Sequence, residues 1–386
     1  MPKKQYYFDH NATTPVRPEV IEAMLPYMTE HYGNASSVHR FGQEARNALE
    51  LSRDTIASLI GAESEEIVFT GCGTESNNIA LIGHLSAVPK GKNALVTTTI
   101  EHSAILKTAA KLARDGFPVT YAGVNTSGMV DLDTLQDAVN EHTALVSVMH
   151  ANNETGVLQE IEEVARIAHE MGALFHTDAV QSAGKIPLNV HAMNIDMLSM
   201  SAHKLNAPKG IGVLYIRKGV LITPLTYGGG HERGIRPGTE NVAGIVGFAQ
   251  ALELALKEME EKRRTLSYLR DRLEEGLGER IPGVLYNGKG VPRLPGTSNI
   301  SIPGVDGEAL IFSLDMEGVA VSTGSACTSG EIEPSHVLVA MGRKPNIAQS
   351  SIRFSMGWGT TEEGVDHIID VLPPMVERLR NISQGM

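Results

Sequence analysis

The chain has 386 residues, of which 42% are hydrophobic, and this is enough for a large core and for two or three domains. Its formal net charge of −12 excludes a basic, nucleic-acid-binding character over the whole sequence. The sequence contains no run of about 18 apolar residues, so it predicts no transmembrane helix. With 2 cysteines and no CxxC pair, it has neither a disulfide framework nor a zinc motif, and we expect a reduced, cytoplasmic protein without a metal site.

Seven short apolar runs between residues 65 and 217 predict the strands of one sheet. They are EEIVFT (65–70), NALVTTT (93–99), PVTYAGV (118–124), ALVSVMH (144–150), ALFHTDA (173–179), DMLSMS (196–201) and GVLYIR (212–217). Helix-like segments lie between most of them, such as IEEVARIAHEMG (161–172). This alternation predicts an α/β fold with a mostly parallel sheet covered by helices on both faces.

Residues 248–280 predict one long helix, because their leucines recur at helical spacing with charges on the opposite face. Such a helix could link a large domain to a smaller one. After it, NISIPG and GVAVSTG are typical of strands, and GEALIFSLDM and TTEEGVDHIIDVLPPMVERL are typical of helices. We therefore expect a large domain of residues 15–260 and a small α+β domain formed by residues 1–14 and 261–386.

Glycines and polar side chains follow most of the predicted strands, and ligands of open α/β sheets bind beyond the carboxyl ends of the strands. Gly73 and Thr74 follow the first strand, either as an ordinary strand–helix turn or as a phosphate site. His102 follows the second strand, either as a structural or as a catalytic histidine. Asn153 lies in the turn-forming stretch ANNETG.

An acid and a lysine lie at the ends of two later strands. Asp178 needs a partner, either a helix N-terminus or a ligand cation, and Gln181 follows it by three residues. Ser201, His203 and Lys204 lie between the last two strands, where Lys204 either reaches solvent or is desolvated for Schiff-base chemistry. A phosphate cradle, an aromatic ring, amide groups, an acid and a lysine at one sheet edge together predict a pyridoxal phosphate site.

Ordered blocks along nearly the whole chain carry a family resemblance. They are FDHNATTPV (8–16), GNASSVHRFG, FTGCGTESNNIA, TIEHSAI, HANNETG, HTDAVQSAGK, SAHKLNAPKGIG, GGGHERGIRPGTEN, STGSACTSG, EPSHVL and SIRFSM. In these blocks the sequence closely resembles the cysteine desulfurases of the NifS/IscS type, within the class V aminotransferase-like, fold-type I pyridoxal phosphate enzymes. The resemblance implies a seven-stranded, mostly parallel sheet between helices and a smaller α+β domain.

The same resemblance implies a role for each matching residue toward the cofactor. Lys204 would bind pyridoxal phosphate covalently, while Asp178 would pair with its pyridine nitrogen and Gln181 with its ring hydroxyl. His102 would stack on the ring and move protons. Thr239 would reach the phosphate in the partner subunit, which implies a homodimer with shared sites. The other residues that would complete the cofactor site are Gly73, Thr74, Asn153, Ser201 and His203.

Cys327 in STGSACTSG (322–330) would be the nucleophile, on a mobile catalytic loop of about residues 322–334. From composition alone, a tight turn with an inert thiol fits this stretch equally well. The resemblance implies that Asn153 and Arg353 hold L-cysteine, that Lys204 takes its Cα proton, and that Cys327 takes its sulfur. The products would be L-alanine and a persulfide, which passes to a sulfur acceptor such as an iron–sulfur scaffold.

Three alternatives stay open at the level of the sequence. They are a selenocysteine lyase, an aminotransferase of the same fold and a sulfur-carrier scaffold without catalysis. The chain also departs from the family pattern on both sides of Arg353. Gln349 and Ser350 stand where a His-Gly pair is expected, and Gly357-Trp358-Gly359 replaces a basic-aromatic turn. We interpret Cys72, in the predicted phosphate turn, as structural.

Overall fold

The structure, a computed structural model, describes residues 3–323 and 333–384, so the predicted nucleophile Cys327 lies outside the described residues. The strands in these ranges are β1 (Tyr6–Tyr7), β2 (Ile67–Thr70), β3 (Ala94–Thr98), β4 (Val119–Ala122), β5 (Thr143–Ser147), β6 (Leu174–Asp178), β7 (Met197–Ser201), β8 (Gly212–Ile216), β9 (Leu285–Asn287), β10 (Thr297–Ser301), β11 (Val319–Ala320) and β12 (Ser351–Ser355).

The α-helices in the same ranges follow the strands closely in the first half of the chain and dominate its second half. They are α1 (Pro18–Met24), α2 (Pro26–Thr29), α3 (Arg40–Ile60), α4 (Gly73–Asn78), α5 (Ser103–Arg114), α6 (Leu132–Ala138), α7 (Ile161–Glu170), α8 (Val242–Lys257), α9 (Met259–Arg280), α10 (Gly307–Met316), α11 (His336–Ala340), α12 (Pro345–Gln349) and α13 (Glu362–Gln384).

The seven predicted strands form one sheet in the described chain, in the order β2-β8-β7-β6-β5-β3-β4. Every neighbouring pair is parallel except those of β8, which runs antiparallel to both β2 and β7. Strands β5, β7 and β8 are buried at every position, as is expected where helices cover both faces of a sheet. The predicted α/β fold is therefore confirmed.

Two apolar clusters cover the two faces of this sheet. Helices α3, α7 and α8 pack on one face, around side chains such as Phe175 and Leu198. Helix α5 packs on the other face, around Leu95 and Ile105. The carboxyl ends of the parallel strands lie between these two layers, and the polar side chains that follow the strands gather there.

A second, smaller sheet has the order β12-β10-β9, and β1 pairs in parallel with β11 beside it. Its core is a separate cluster that joins Phe8 to side chains of α9, β10, α10, β12 and α13. We propose that the division predicted from the sequence, 15–260 against 1–14 with 261–386, follows these separate cores. The pairing of the N-terminal strand with β11 supports the assignment of residues 1–14 to the smaller unit.

The prediction of one continuous helix over 248–280 is wrong, because α8 and α9 meet at Glu258. Helix α8 packs on α1 and α3 in the larger unit, whereas α9 packs on α13 in the smaller one. The Glu258 carboxylate accepts hydrogen bonds from Arg17 Nη1 at 2.6 Å and from Lys262 Nζ at 2.8 Å. Because of this break, two consecutive helices pack into two different cores. The ion pairs of Glu258 with Arg17 and Lys262 stabilise the junction between the helices.

No helix in the described ranges is both long enough and apolar enough to cross a membrane. Among the same residues, no cluster of three or more His, Cys, Asp and Glu side chains could hold a metal ion.

A buried ion pair fixes the segment that follows β8. The Glu232 carboxylate accepts from Arg53 Nη1 at 2.9 Å and Nη2 at 2.7 Å, and from the Phe69 N–H at 2.8 Å. The two side chains are 3% and 5% exposed. Removal of the Glu232 carboxylate leaves the buried charge of Arg53 without its partner. We therefore expect Glu232→Ala to lower the free energy of unfolding by about 3–5 kcal/mol, as measured by urea denaturation.

The matched control for this prediction is Glu163→Ala. Glu163 pairs with Arg166 at 2.8 Å, and both side chains are about half exposed, at 51% and 50%. An exposed pair contributes at most about 1 kcal/mol, so this variant stays close to wild type. If both variants lost the same free energy of unfolding, burial would not determine how much an ion pair contributes to stability.

Candidate active site

A cavity of about 650 Å³ lies at the carboxyl ends of the parallel strands and extends to β12 of the smaller sheet. Strands β2, β3, β5, β6 and β7 all end at this edge, so the turns after them meet there. Ten of the residues predicted from the sequence line the cavity: Gly73, Thr74, His102, Asn153, Asp178, Gln181, Ser201, His203, Lys204 and Arg353.

Asp178 ends strand β6 and is almost fully buried. Its Oδ2 accepts a hydrogen bond from Asn77 Nδ2 at 2.7 Å, and its Oδ1 accepts from the Val180 N–H at 3.0 Å. The sequence leaves open a helix N-terminus or a ligand cation as the partner of this acid. In the structure, an amide side chain and a backbone N–H hold the carboxylate in place on the cavity wall.

Lys204 follows β7 and points its Nζ at two backbone carbonyls of the N-terminal segment. Nζ donates to Asn11 O at 2.5 Å and to Ala12 O at 2.7 Å. Burial, together with the nearby charge of Arg353, lowers the pKa of Lys204 to about 8. A lysine in this state has an accessible neutral amine near physiological pH, which is the nucleophilic form.

His102 lies just before α5 and also lines the cavity. Its Nδ1 accepts a hydrogen bond from the Ala104 N–H at 3.1 Å, so the ring caps the helix. Burial lowers the pKa of His102, although the nearby Asp178 carboxylate opposes the shift. The neutral ring therefore carries its proton on Nε2, and both its structural and its catalytic interpretations have a basis in this geometry.

One end of the cavity has the features of an anion site. Gly73 and Thr74 open α4 there, and Ser201 Oγ is buried without a hydrogen-bond partner among residues 3–323 and 333–384. His203 Nδ1 lies 3.1 Å from Thr13 Oγ1, and burial lowers the pKa of His203 to about 4, so the ring is neutral. An unpaired buried hydroxyl costs free energy unless a ligand pairs with it.

Arg353 lies in β12 on the opposite side of the cavity and is 4% exposed. Its Nη2 donates to Asp9 Oδ1 at 2.7 Å and its Nη1 donates to the Asn153 carbonyl at 3.0 Å. Its Nε is buried and has no hydrogen-bond partner within the described residues. The Arg353 guanidinium is therefore held at both Nη atoms on the cavity wall, and its planar fork of N–H groups is of the kind that binds a carboxylate through two hydrogen bonds.

Two predicted residues are not brought to this cavity by the described structure. Thr239 is exposed and does not line it, so its role toward a partner subunit stays a prediction. Cys327 lies outside the described residues, although Ser322 and Glu333, on either side of that stretch, both line the cavity.

Several residues of this site escape the reasoning from sequence. Asn77 orients Asp178, the Asn11 carbonyl receives Lys204, and Lys185 donates to Gln181 Oε1 at 3.1 Å. Glu154 and His336 line the cavity too, and burial raises the pKa of Glu154. Asn77 follows Thr74 by one helical turn, and this spacing is the signal that could have found it.

The departures from the family pattern lie at the two ends of β12. Ser350 Oγ donates to the Ile347 carbonyl at 2.9 Å, closing the end of α12. Gly357 packs on His10, where an added Cβ would come within 2.4 Å of the ring. Trp358 lies beside Arg17, whose guanidinium carbon is 5.8 Å from the ring centre. The Arg353 guanidinium donates instead to Asp9 and to the Asn153 carbonyl.

Residues 6–368 match the model of the aminotransferase class-V family. The "Cysteine desulfurase" of Trichormus azollae is 50% identical over 377 residues, covering 98% of this chain and 94% of that protein. The "Cysteine desulfurase IscS" of Dictyoglomus turgidum is 49% identical over 382 residues, covering 99% and 97%.

Solved structures are similar over nearly the whole chain as well. A NifS-like protein is 40% identical with a TM-score of 0.88, covering 99% of this chain and 100% of that one. The structure of SspA in complex with cysteine is 35% identical with a TM-score of 0.81, covering 91% and 98%.

Proposed function

We propose, from the premise that this chain belongs to the aminotransferase class-V family and is a cysteine desulfurase within it, that it uses pyridoxal phosphate to move sulfur from L-cysteine to Cys327. The observation that carries this proposal is the convergence of Asp178, Lys204 and Arg353 on one cavity. The products are L-alanine and a persulfide on Cys327.

The residues of the cavity fit pyridoxal phosphate. Ser201 Oγ is buried and has no partner in the part of the chain that the structure describes, and it suits the phosphate together with Gly73 and Thr74 at the start of α4. The fixed carboxylate of Asp178 suits a protonated pyridine nitrogen, and the Lys204 amine suits the aldehyde carbon. When bound, pyridoxal phosphate withdraws electrons from the substrate and acidifies its Cα–H bond.

The chain's own residues bind the substrate and move its protons. The guanidinium of Arg353 and the side chain of Asn153 hold the amino acid, with the α-carboxylate on Arg353. Once its Nζ is free, Lys204 accepts the Cα proton of L-cysteine and returns a proton to the carbon skeleton as alanine forms. His102 lies against the cavity and is a second group that moves protons.

Sulfur transfer is the step assigned to Cys327. Its thiolate attacks the substrate sulfur, the Cβ–S bond breaks, and an S–S bond to Cys327 forms. The electron pair of the broken bond stays on the carbon skeleton, which takes up protons and leaves as L-alanine. An added thiol reductant then reduces the persulfide, restores the Cys327 thiol and releases sulfide.

We also propose a homodimer, in which Thr239 reaches the phosphate bound in the partner subunit. The exposure of Thr239 in the GIRPGTEN stretch supports this arrangement. A sulfur-acceptor protein such as an iron–sulfur scaffold would receive the persulfide sulfur. A thiol nucleophile in a chain with 2 cysteines favours the reducing cytoplasm.

The experiment that tests this function follows alanine and sulfide release from L-cysteine in the presence of a thiol reductant and pyridoxal phosphate. The proposal requires both products in equal amounts, without a requirement for a 2-oxo acid. Turnover that depends on a 2-oxo acid would indicate an aminotransferase, and much faster turnover of L-selenocysteine than of L-cysteine would indicate a selenocysteine lyase. If the protein showed neither turnover nor a visible cofactor band, the result would indicate a scaffold without catalytic activity.

The fixed acid gives a prediction of its own. We expect Asp178→Asn to lower kcat/KM about 100-fold, because a neutral amide no longer holds the pyridine nitrogen in its protonated form. The variant should fold, since the new side chain can accept from the Val180 N–H. Once the Asn77 amide turns over, it can also donate to Asn77 Oδ1, which has no hydrogen-bond partner in the described part of the wild-type chain.

Steady-state kinetics with L-cysteine, together with a visible spectrum, measures this effect. Asp133→Asn removes an exposed carboxylate from the first turn of α6 and serves as the matched control, with wild-type kinetics expected. Wild-type kcat/KM in Asp178→Asn would remove Asp178 from the cofactor site.

A further inference from the structure

Lys185 lies behind the proposed cofactor site, and the mechanism above does not use it. It follows Gln181 by four residues, and its Nζ donates to Gln181 Oε1 at 3.1 Å. It also lines a second cavity of about 70 Å³, between Gly184, Arg17 and Trp358. A lysine amine is thus directed at the one side chain that would contact the ring hydroxyl of the cofactor.

The two ends of the Gln181 amide have partners of opposite kinds. Lys185 Nζ carries only donors on its ammonium, whereas the Asn11 carbonyl only accepts. Gln181 Nε2 donates to this carbonyl at 2.9 Å. A flipped amide would place an N–H₂ group against Lys185 Nζ and an oxygen against the Asn11 carbonyl. The Asn11 carbonyl selects the observed orientation at any pH, and the Lys185 ammonium, which cannot accept a hydrogen bond, selects the same one.

This orientation leaves one donor for the cavity. Gln181 Nε2 has two hydrogens, of which Asn11 O accepts one. Gln181 lines the cavity, as do Asn11 and Lys204, whose Nζ shares the same Asn11 carbonyl. The second N–H is therefore available to an oxygen of a bound ring.

The electrostatic surroundings of Lys185 argue against a merely incidental contact. Burial, with the nearby charges of Lys204 and Arg353, lowers the pKa of Lys185 to about 7. A buried ammonium group loses its hydration, and this raises its free energy unless a hydrogen-bond partner replaces the lost water. In the described part of the chain, Gln181 Oε1 is the hydrogen-bond acceptor of Nζ, and the amine donates in either protonation state.

We propose that Lys185 is a positioning residue that holds the Gln181 amide with its N–H toward the cavity, where it donates to the ring hydroxyl of the cofactor. This inference rests on the proposed function, because it needs pyridoxal phosphate in the cavity. It adds to that function a group that acts through Gln181 and touches neither substrate nor cofactor.

The test compares Lys185→Met, Lys185→Arg, Gln181→Ala and the double variant Gln181→Ala/Lys185→Met. The readouts are the dissociation constant of pyridoxal phosphate and the pH midpoint of the visible band of the holoprotein. We expect Lys185→Met to weaken cofactor binding by about three- to tenfold, which is the range of one hydrogen bond. The midpoint should move in the direction seen with Gln181→Ala, and Lys185→Arg should restore both values toward wild type.

The double variant separates positioning from a direct charge effect. If Lys185 acts through Gln181, the double variant binds the cofactor no more weakly than Gln181→Ala alone. Full additivity, or wild-type values in Lys185→Met, would overturn the inference and leave the proposed function intact. Absence of a cofactor band in wild type would overturn both.

Two further variants complete the design. Lys218→Met removes a lysine whose side chain is 81% exposed, and wild-type values are expected from it. If Lys185→Met does not fold, Lys185→Gln carries the same expectation, since its shorter side chain does not bring a donor to the position of Nζ.

Discussion

Replacement of Lys204 by alanine is expected to abolish the covalent attachment of pyridoxal phosphate and to lower L-cysteine turnover by about 10⁴-fold. Two functions are lost together, because the same Nζ forms the bond to the cofactor and accepts the Cα proton. The fold should survive, since the hydrogen bonds of Nζ to the described residues go only to the carbonyls of Asn11 and Ala12. Alanine release and the visible band of the purified protein measure the two losses.

The matched control is Lys111→Ala, which removes an exposed lysine on α5 that pairs with Asp115. Wild-type spectra and turnover are expected from it. A Lys204→Ala protein that keeps the wild-type band and turnover would exclude Lys204 as the cofactor lysine, and the assignment of the whole cavity would fall with it.

The lowered pKa of Lys204 gives the same prediction a pH dependence. Only the neutral amine attacks an aldehyde, and burial places the pKa of this amine at about 8. Below this value the rate at which the apoprotein binds pyridoxal phosphate covalently should rise about tenfold per pH unit, and above it the rate should level off. A rate that continues to rise beyond pH 10 would indicate a solvent-exposed lysine instead.

The strands could be predicted from the sequence because their burial is so complete. Runs such as ALVSVMH and DMLSMS are mainly apolar with serines between the apolar residues, and the structure places them in β5 and β7, between two layers of helices. The break between α8 and α9 could not be predicted in the same way. Neither glycine nor proline marks Glu258, and the cause of the break, two cores with different partners, lies outside the local sequence.

Some residues of the candidate site could be predicted from the sequence and others could not. Residues that directly follow a strand, such as Asp178 and Lys204, could be placed at one sheet edge by topology alone. Their partners could not, because they come from distant positions. The Asn11 carbonyl that receives Lys204 is 193 residues away, and the Asn77 amide that holds Asp178 is 101 residues away. Arg353 depends on β12 in the smaller sheet, which only the family resemblance indicated.

The second large effect is expected at Cys327. In Cys327→Ser the cofactor site is complete, so the protein should bind pyridoxal phosphate and L-cysteine as wild type does. Sulfide and alanine release should nevertheless fall by at least about 10³-fold, because a serine hydroxyl is almost never ionised near neutral pH and forms no persulfide. Cys72→Ser changes the other cysteine and is the matched comparison; because it leaves Cys327 in place, it should still release alanine and sulfide in equal amounts.

The most direct test of this account follows alanine, sulfide and the visible band together, in wild type and in Cys327→Ser, with L-cysteine and a thiol reductant. The account predicts equal amounts of alanine and sulfide from wild type, and from the variant an unchanged band without sulfide. Sulfide release by Cys327→Ser at the wild-type rate would contradict it, because the sulfur would then leave the substrate without passing through Cys327.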